Sequence, residues 1–353
     1  MLEIDIAKQI DKIEKEHKKM ESASEPDKRF FEEDVFIKDT TLADILGPPQ
    51  EYLFYETILG KQIGIMPKGE PCMIAAPGGT GKSFLALSCA IAAASGTNWL
   101  HYHAKKPVKT IFIGAEDNQN TLGNRFYRLL RGMKINTSLE IFETMKSNLA
   151  LWGKKGERLP LIDEKGQATR AFDDLKYRIE REMNIGLIVL DPARSFMARD
   201  TEVDNGAASE WKDLICALTE LPSRPTVLVT HHTNKSAIRG TGKDSAPSFD
   251  QSAVRGASAL VDGFRWILNM QKVYQDGERK LYLKIGKSNF SDDGDTTEWR
   301  LNYEDGGIFE QILPQTSALL QPPGYQASTK QQHFSPKLHS SSQNQPLEEE
   351  LAI

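Results

Sequence analysis

The run Ala76-Pro77-Gly78-Gly79-Thr80-Gly81-Lys82-Ser83 constrains this 353-residue chain more than any other stretch. Apolar residues Cys72-Met73-Ile74-Ala75-Ala76 lead into it and an alanine-rich segment follows from Lys82, so the pattern predicts a buried strand, a glycine turn and a helix. A glycine-rich turn can simply cap a helix. Flanked by a legible strand and a legible helix, it reads instead as a phosphate cradle. Glycines let successive backbone N–H groups curl around an anion, and the helix N-terminus adds its partial positive charge. Lys82 then reaches the β- and γ-phosphates of a nucleotide, and the Ser83 hydroxyl holds Mg²⁺, with Phe84 next to them at the start of the helix. ATP and Mg²⁺ are the expected ligands. The full pattern G-x-x-x-x-G-K-[ST] has glycine where this chain has Ala76, a change the backbone tolerates if φ there is negative.

Three more continuous apolar runs follow. Thr110 to Gly114 ends in Ala115-Glu116-Asp117, Gly186 to Leu190 ends in Asp191, and Thr226 to Thr230 ends in His231-His232. Helical segments lie between them, one carrying Arg125 and Arg128 and one around Phe172 to Met183, and this alternation predicts an α/β fold with a mainly parallel sheet covered on both faces. Further strands are expected at Phe264 to Met270, Lys280 to Ile285 and Glu298 to Leu301. Asp276-Gly277 is a hairpin signal between the first two, so antiparallel strands should extend one edge of the sheet. The chain divides into a charged, partly helical extension over 1–41, the α/β domain over 42–313, and a Gln-, Ser- and Pro-rich tail over 314–353, expected to be disordered. Tyr52-Leu53-Phe54-Tyr55 reads as an aromatic patch at the core edge, and the segment from Ser147 to Gly166 has no clear pattern.

In an open parallel sheet the ligand sits beyond the C-terminal ends of the strands, where these runs place their polar residues. Asp191 is expected to hold Mg²⁺ together with Ser83. Pro192 follows it, at a position where many P-loop ATPases carry a catalytic glutamate, so Glu116 becomes the candidate general base, with Asp117 as the alternative. A helix-terminal charge is the structural reading of Glu116. One of His231 and His232 is expected to sense the γ-phosphate. Adjacent strand residues face opposite ways and no Cys/His cluster is near, so zinc is not expected. The loop from Thr233 to Arg255 carries Lys235, Arg239, Lys243 and Arg255 against Asp244 and Asp250, a balance that suits either a nucleic-acid backbone or plain solvent.

A net charge of −5 argues against a protein that coats nucleic acid with its whole surface and leaves open a basic channel inside an acidic shell. Cys72, Cys89 and Cys216 lack metal-like spacing and read as small buried hydrophobes in a reducing compartment, which favours the cytoplasm. The longest apolar run, Leu85 to Ala94, is far shorter than the roughly 20 residues of a membrane span.

Taken together, the phosphate loop, Ala115-Glu116-Asp117, Val189-Leu190-Asp191, Thr230-His231-His232 and the run Arg255-Gly256-Ala257-Ser258-Ala259-Leu260-Val261-Asp262-Gly263-Phe264-Arg265-Trp266 resemble the RecA-like ATPases typified by the plasmid replicative helicase RepA. The similarity runs from about Leu42 to Gln311 and includes Lys284-Ile285-Gly286-Lys287-Ser288-Asn289-Phe290, which is similar to that family's S-K-x-N motif. Members often lack the first glycine of the phosphate loop, as here. The resemblance implies a ring, usually a hexamer, with ATP between neighbouring subunits and single-stranded DNA in the central hole. It also implies that Arg265 is an arginine finger acting on the next subunit's nucleotide, supported by Lys287, with Arg255 as a second candidate. A RecA-like ATPase switch that acts on a protein partner without unwinding DNA stays open beside the helicase reading.

Overall fold

The structure is a computed structural model and describes residues 48–182, 184–233, 258–275, 278–290, 297–302 and 306–312. The N-terminal extension, Arg255, the Asp276-Gly277 hairpin signal and the C-terminal tail lie outside the described residues.

The central sheet contains strands β3 (Pro71–Ala76), β5 (Lys109–Gly114), β6 (Leu149–Gly153), β7 (Ile185–Asp191), β8 (Thr226–His232) and β9 (Trp266–Gln275), with β10 (Glu278–Ser288), β11 (Thr297–Asn302) and β12 (Ile308–Ile312) at one side. Its order is β12-β11-β10-β9-β3-β8-β7-β5-β6. From β9 to β6 neighbouring strands pair in parallel, and β10, β11 and β12 each join antiparallel. This is the expected mixed sheet. A two-residue connection between Gln275 and Glu278 matches the predicted hairpin.

Alternation along the strands sends two sets of side chains to two helical layers. Cys72, Ile74, Phe112, Leu187, Val189 and Leu228 face one layer, built on α1 (Lys82–Ser95), α2 (Gln119–Gly132) and α3 (Leu139–Asn148). Met73, Ile111, Ile188, Leu190, Val227 and Val229 face the other, built on α4 (Arg170–Glu182), α5 (Asn205–Thr219) and the short α6 (Ser258–Asp262). Each such side chain, fully buried, contributes about 1.5–3 kcal/mol relative to exposure, so the sheet centre holds the fold. α1 is apolar almost all round because it lies inside the first layer, and it stops at Gly96, whose φ of 72° only glycine adopts easily.

Two elements add strands that the sequence reading did not specify. The aromatic patch is strand β1 (Tyr52–Ile58), paired with β2 (Lys61–Pro67) and with β4 (His103–Ala104) in a separate three-stranded sheet. Leu53 and Phe54 are buried while Tyr52 and Tyr55 are partly exposed, and the Phe54 ring lies 5.4 Å from that of Trp99, whose indole N–H donates to Leu85 O of α1. The segment beginning at Ser147 contains strand β6, which extends the parallel sheet beyond β5. Cys72 and Cys89 are buried, as expected, whereas Cys216 is only partly so, and all three are free thiols.

Candidate functional site: a phosphate cradle at the strand ends

Ala76 closes β3 fully buried, and its φ is not among the positive ones, so the methyl group costs the turn nothing. Gly79 (φ 73°) and Gly81 (φ 103°) take the left-handed backbone that carries the chain around the loop. Gly81 is the N-cap of α1. No side chain caps this helix and no acidic residue stands in its first turn, which leaves the first N–H groups and the dipole for an external anion. The buried Thr80 hydroxyl donates to Pro77 O (2.8 Å) and fixes the loop's shape from inside.

The register of the sheet brings the other polar residues to the same edge. Gly114 pairs with Asp191 and with Gly153, and Ala76 with His232. A cleft of about 220 Å³ opens there, lined by Gly79, Gly81, Lys82, Ser83, Phe84, Glu116, Arg125, Asp191, Pro192 and His232. Two larger clefts of about 520 and 540 Å³ border the outer end of α2 and hold none of this chemistry.

Lys82 donates from Nζ to Pro77 O (3.2 Å) and lies 3.3 Å from His232 Nδ1. An ammonium has only donors, so Nδ1 accepts and the ring proton sits on Nε2. Burial lowers the Lys82 pKa, against the pull of Asp191 and Glu116. Asp191 is buried; its carboxylate accepts hydrogen bonds from the Thr230 and Ser83 hydroxyls. Burial raises its pKa, those hydroxyls and Lys82 lower it, and Glu116 raises it further. A hydroxyl and a carboxylate side by side are hard oxygen donors, the set that suits Mg²⁺. Among the described residues no cluster of three or more His, Cys, Asp or Glu side chains could hold a metal by itself, so an ion here would take its remaining oxygens from water or phosphate.

Glu116 and Asp117 are adjacent and differ completely. Asp117 is buried and ion-paired with Arg125, whose guanidinium also lies 5.6 Å from the centre of the Phe84 ring. Glu116 is exposed and lines the cleft. The histidines separate too: His232 is partly exposed on the cradle side, its ring 3.8 Å from where a Cβ on Gly78 would be, whereas His231 is 1% exposed among the residues of the opposite face.

Arg265 and Lys287 are not brought to the cradle. Arg265 is exposed just before β9, its N–H donating to Pro71 O (3.0 Å) at the start of β3. The cradle is at the other end of β3, about 20 Å away at roughly 3.3 Å per residue. Arg265 contributes to lowering the pKa of Glu70, although burial raises it more. Lys287 Nζ donates to Val261 O and Asp262 O (3.1 Å each), closing the helix from which Arg265 emerges. Burial is the main cause of its lowered pKa, with Arg265 adding to it and Asp262 opposing it.

Sequence patterns did not single out Arg125 or Lys272 as site residues. Arg125 stands two helical turns beyond Asp117, a spacing common on any charged helix. Lys272 comes from β9 and donates to Gly79 O (3.2 Å) within the loop. The AAA domain family model matches residues 59–237, a span that holds the cradle, Glu116, Asp191 and both histidines.

Proposed function

Since the chain belongs to the AAA domain family and is a P-loop ATPase, we propose that it works as a ring of identical subunits, of which a hexamer is the expected form, coupling ATP hydrolysis to movement on single-stranded DNA. The role that fits is a replicative helicase or DNA-translocating ATPase of a plasmid, phage or other mobile element, as the RepA-like motifs imply.

In this reading the first-turn N–H groups of α1 and the Lys82 ammonium take up phosphate charge, and Ser83 and Asp191 would hold Mg²⁺. When bound, that ion neutralises charge shared by the β- and γ-phosphate oxygens. Glu116, exposed in the cleft, accepts the proton of the attacking water. As Lys82 turns from Pro77 O toward phosphate, His232 loses the donor at its Nδ1 and registers that a triphosphate is present. The next residue, Thr233, is tied to the cradle strand through its N–H to Ala76 O (3.1 Å), so a movement of His232 passes directly into the segment that follows.

The observation that carries the ring is the position of Arg265. An exposed cation about 20 Å from its own cradle cannot neutralise its own γ-phosphate, but a neighbour's cradle can meet it. The test is steady-state ATPase activity with and without single-stranded DNA at low salt, where contacts to a phosphate backbone are strongest. Stimulation by several-fold, weakening as salt rises, is expected. Absence of stimulation at every salt concentration would overturn the DNA reading and leave an ATPase switch acting on a protein partner.

A further inference from the structure

Lys272 stands at the C-terminal part of β9, the strand that pairs in parallel with the cradle strand β3. Its Nζ donates to the carbonyl of Gly79, in the middle of the phosphate loop (3.2 Å). The same flank is pressed on the loop elsewhere: a Cβ on Gly81 would meet Leu301 Cδ2 at 2.7 Å, Met270 Cε at 3.6 Å and Phe309 Cζ at 3.8 Å. Side chains from β9, β11 and β12 thus back the loop at Gly81, and Lys272 reaches past them as the charged contact. On its other side Gly79 has open space, with nothing within 4 Å of an added Cβ.

We propose that Lys272 is a positioning residue of the nucleotide site: its ammonium pins the Gly79 carbonyl, holds the loop in its anion-binding shape and slows the release of nucleotide. In a planar trans peptide the carbonyl and the following N–H point opposite ways, so a Gly79 carbonyl left to rotate would take the Thr80 N–H, one of the groups available to an anion, with it. A cation on Gly79 O opposes that rotation. It also adds positive charge beside bound phosphate without competing with Lys82, which occupies the inner side of the loop.

The inference rests on the ATPase reading and is tested on the full chain by stopped-flow displacement of a fluorescent ADP analogue. Lys272→Ala should release the analogue about tenfold faster, the scale of one charge-assisted hydrogen bond in a partly exposed place. Lys272→Arg should restore slow release, and Lys272→Gln, which keeps an N–H donor but not the charge, should fall between. Melting temperature without nucleotide should not follow this order, since the side chain is partly exposed and buries no core surface. Equal release rates for wild type, Lys272→Ala and Lys272→Gln would overturn the proposal. So would loss of slow release in Lys272→Arg matched by an equal loss of melting temperature. A wild-type protein that bound no analogue would instead remove the ATPase reading itself, a result separable from the others.

Discussion

Two neighbouring carboxylates with the same chemistry stand in different surroundings. Asp117 is buried with its carboxylate taken up by Arg125, and it does not line the cleft where an attacking water would stand. Among the described residues Glu116 has no such anchor, and it faces the cleft. Replacing Glu116 with Gln keeps size and hydrogen bonding while removing the proposed base. Nucleotide affinity should therefore hold while turnover falls by about 10²–10⁴-fold in single-turnover hydrolysis. Unchanged turnover would transfer the role to Asp117. The chain order Glu-Asp made both visible as candidates, but only the pairing with Arg125, eight residues along on α2, separates them.

At the scale of elements, the strand without a sequence signature turns out to shape the site. β6 is partly buried along its whole length and has no run of valine or isoleucine, which is why its sequence resembles a loop. Its last residue, Gly153, lies under the turn after Asp117: an added Cβ would be 2.6 Å from Asn118 C and from Gln119 N. Gly153 N–H also donates to Gln119 Oε1 (2.8 Å), and Lys154 N–H to Gly114 O (2.8 Å). Backbone cannot yield as a side-chain tip can, so Gly153→Ala should push the Glu116 turn and the start of α2 away from β6. A stability loss of about 1–3 kcal/mol is expected by denaturant titration, as for other overpacked positions. Turnover should fall more than nucleotide affinity, since the cradle strand β3 is not touched. A variant as active and as stable as the parent would show that β6 does not hold that turn.

For the whole molecule, the two ends of β9 serve different places. Lys272, late in the strand, reaches the chain's own phosphate loop, while Arg265, just before it, stands at the far edge of the sheet beside Glu70. If Arg265 completes a neighbour's site, two inactive proteins should rescue each other. Mixing Arg265→Ala subunits, which keep a sound cradle, with Lys82→Ala subunits, which keep the finger, should restore part of the ATPase activity. The recovery should depend on the mixing ratio. No recovery at any ratio would mean that each site is completed within one chain.

The sequence by itself determined the parallel core and the cradle, because both are written in local patterns: continuous apolar runs for strands buried on two sides, and glycines with Lys82 and Ser83 at fixed spacing for the anion. It also brought Asp191 and Glu116 to the strand ends. Tertiary structure decided the matters that depend on distance across the chain: which imidazole faces the cleft, which carboxylate is left exposed, and that Lys272 reaches the loop while Arg265 cannot. Local patterns reflect burial and backbone freedom, whereas these pairings depend on register and strand order, which join residues far apart in the chain, 193 positions in the case of Lys272 and Gly79.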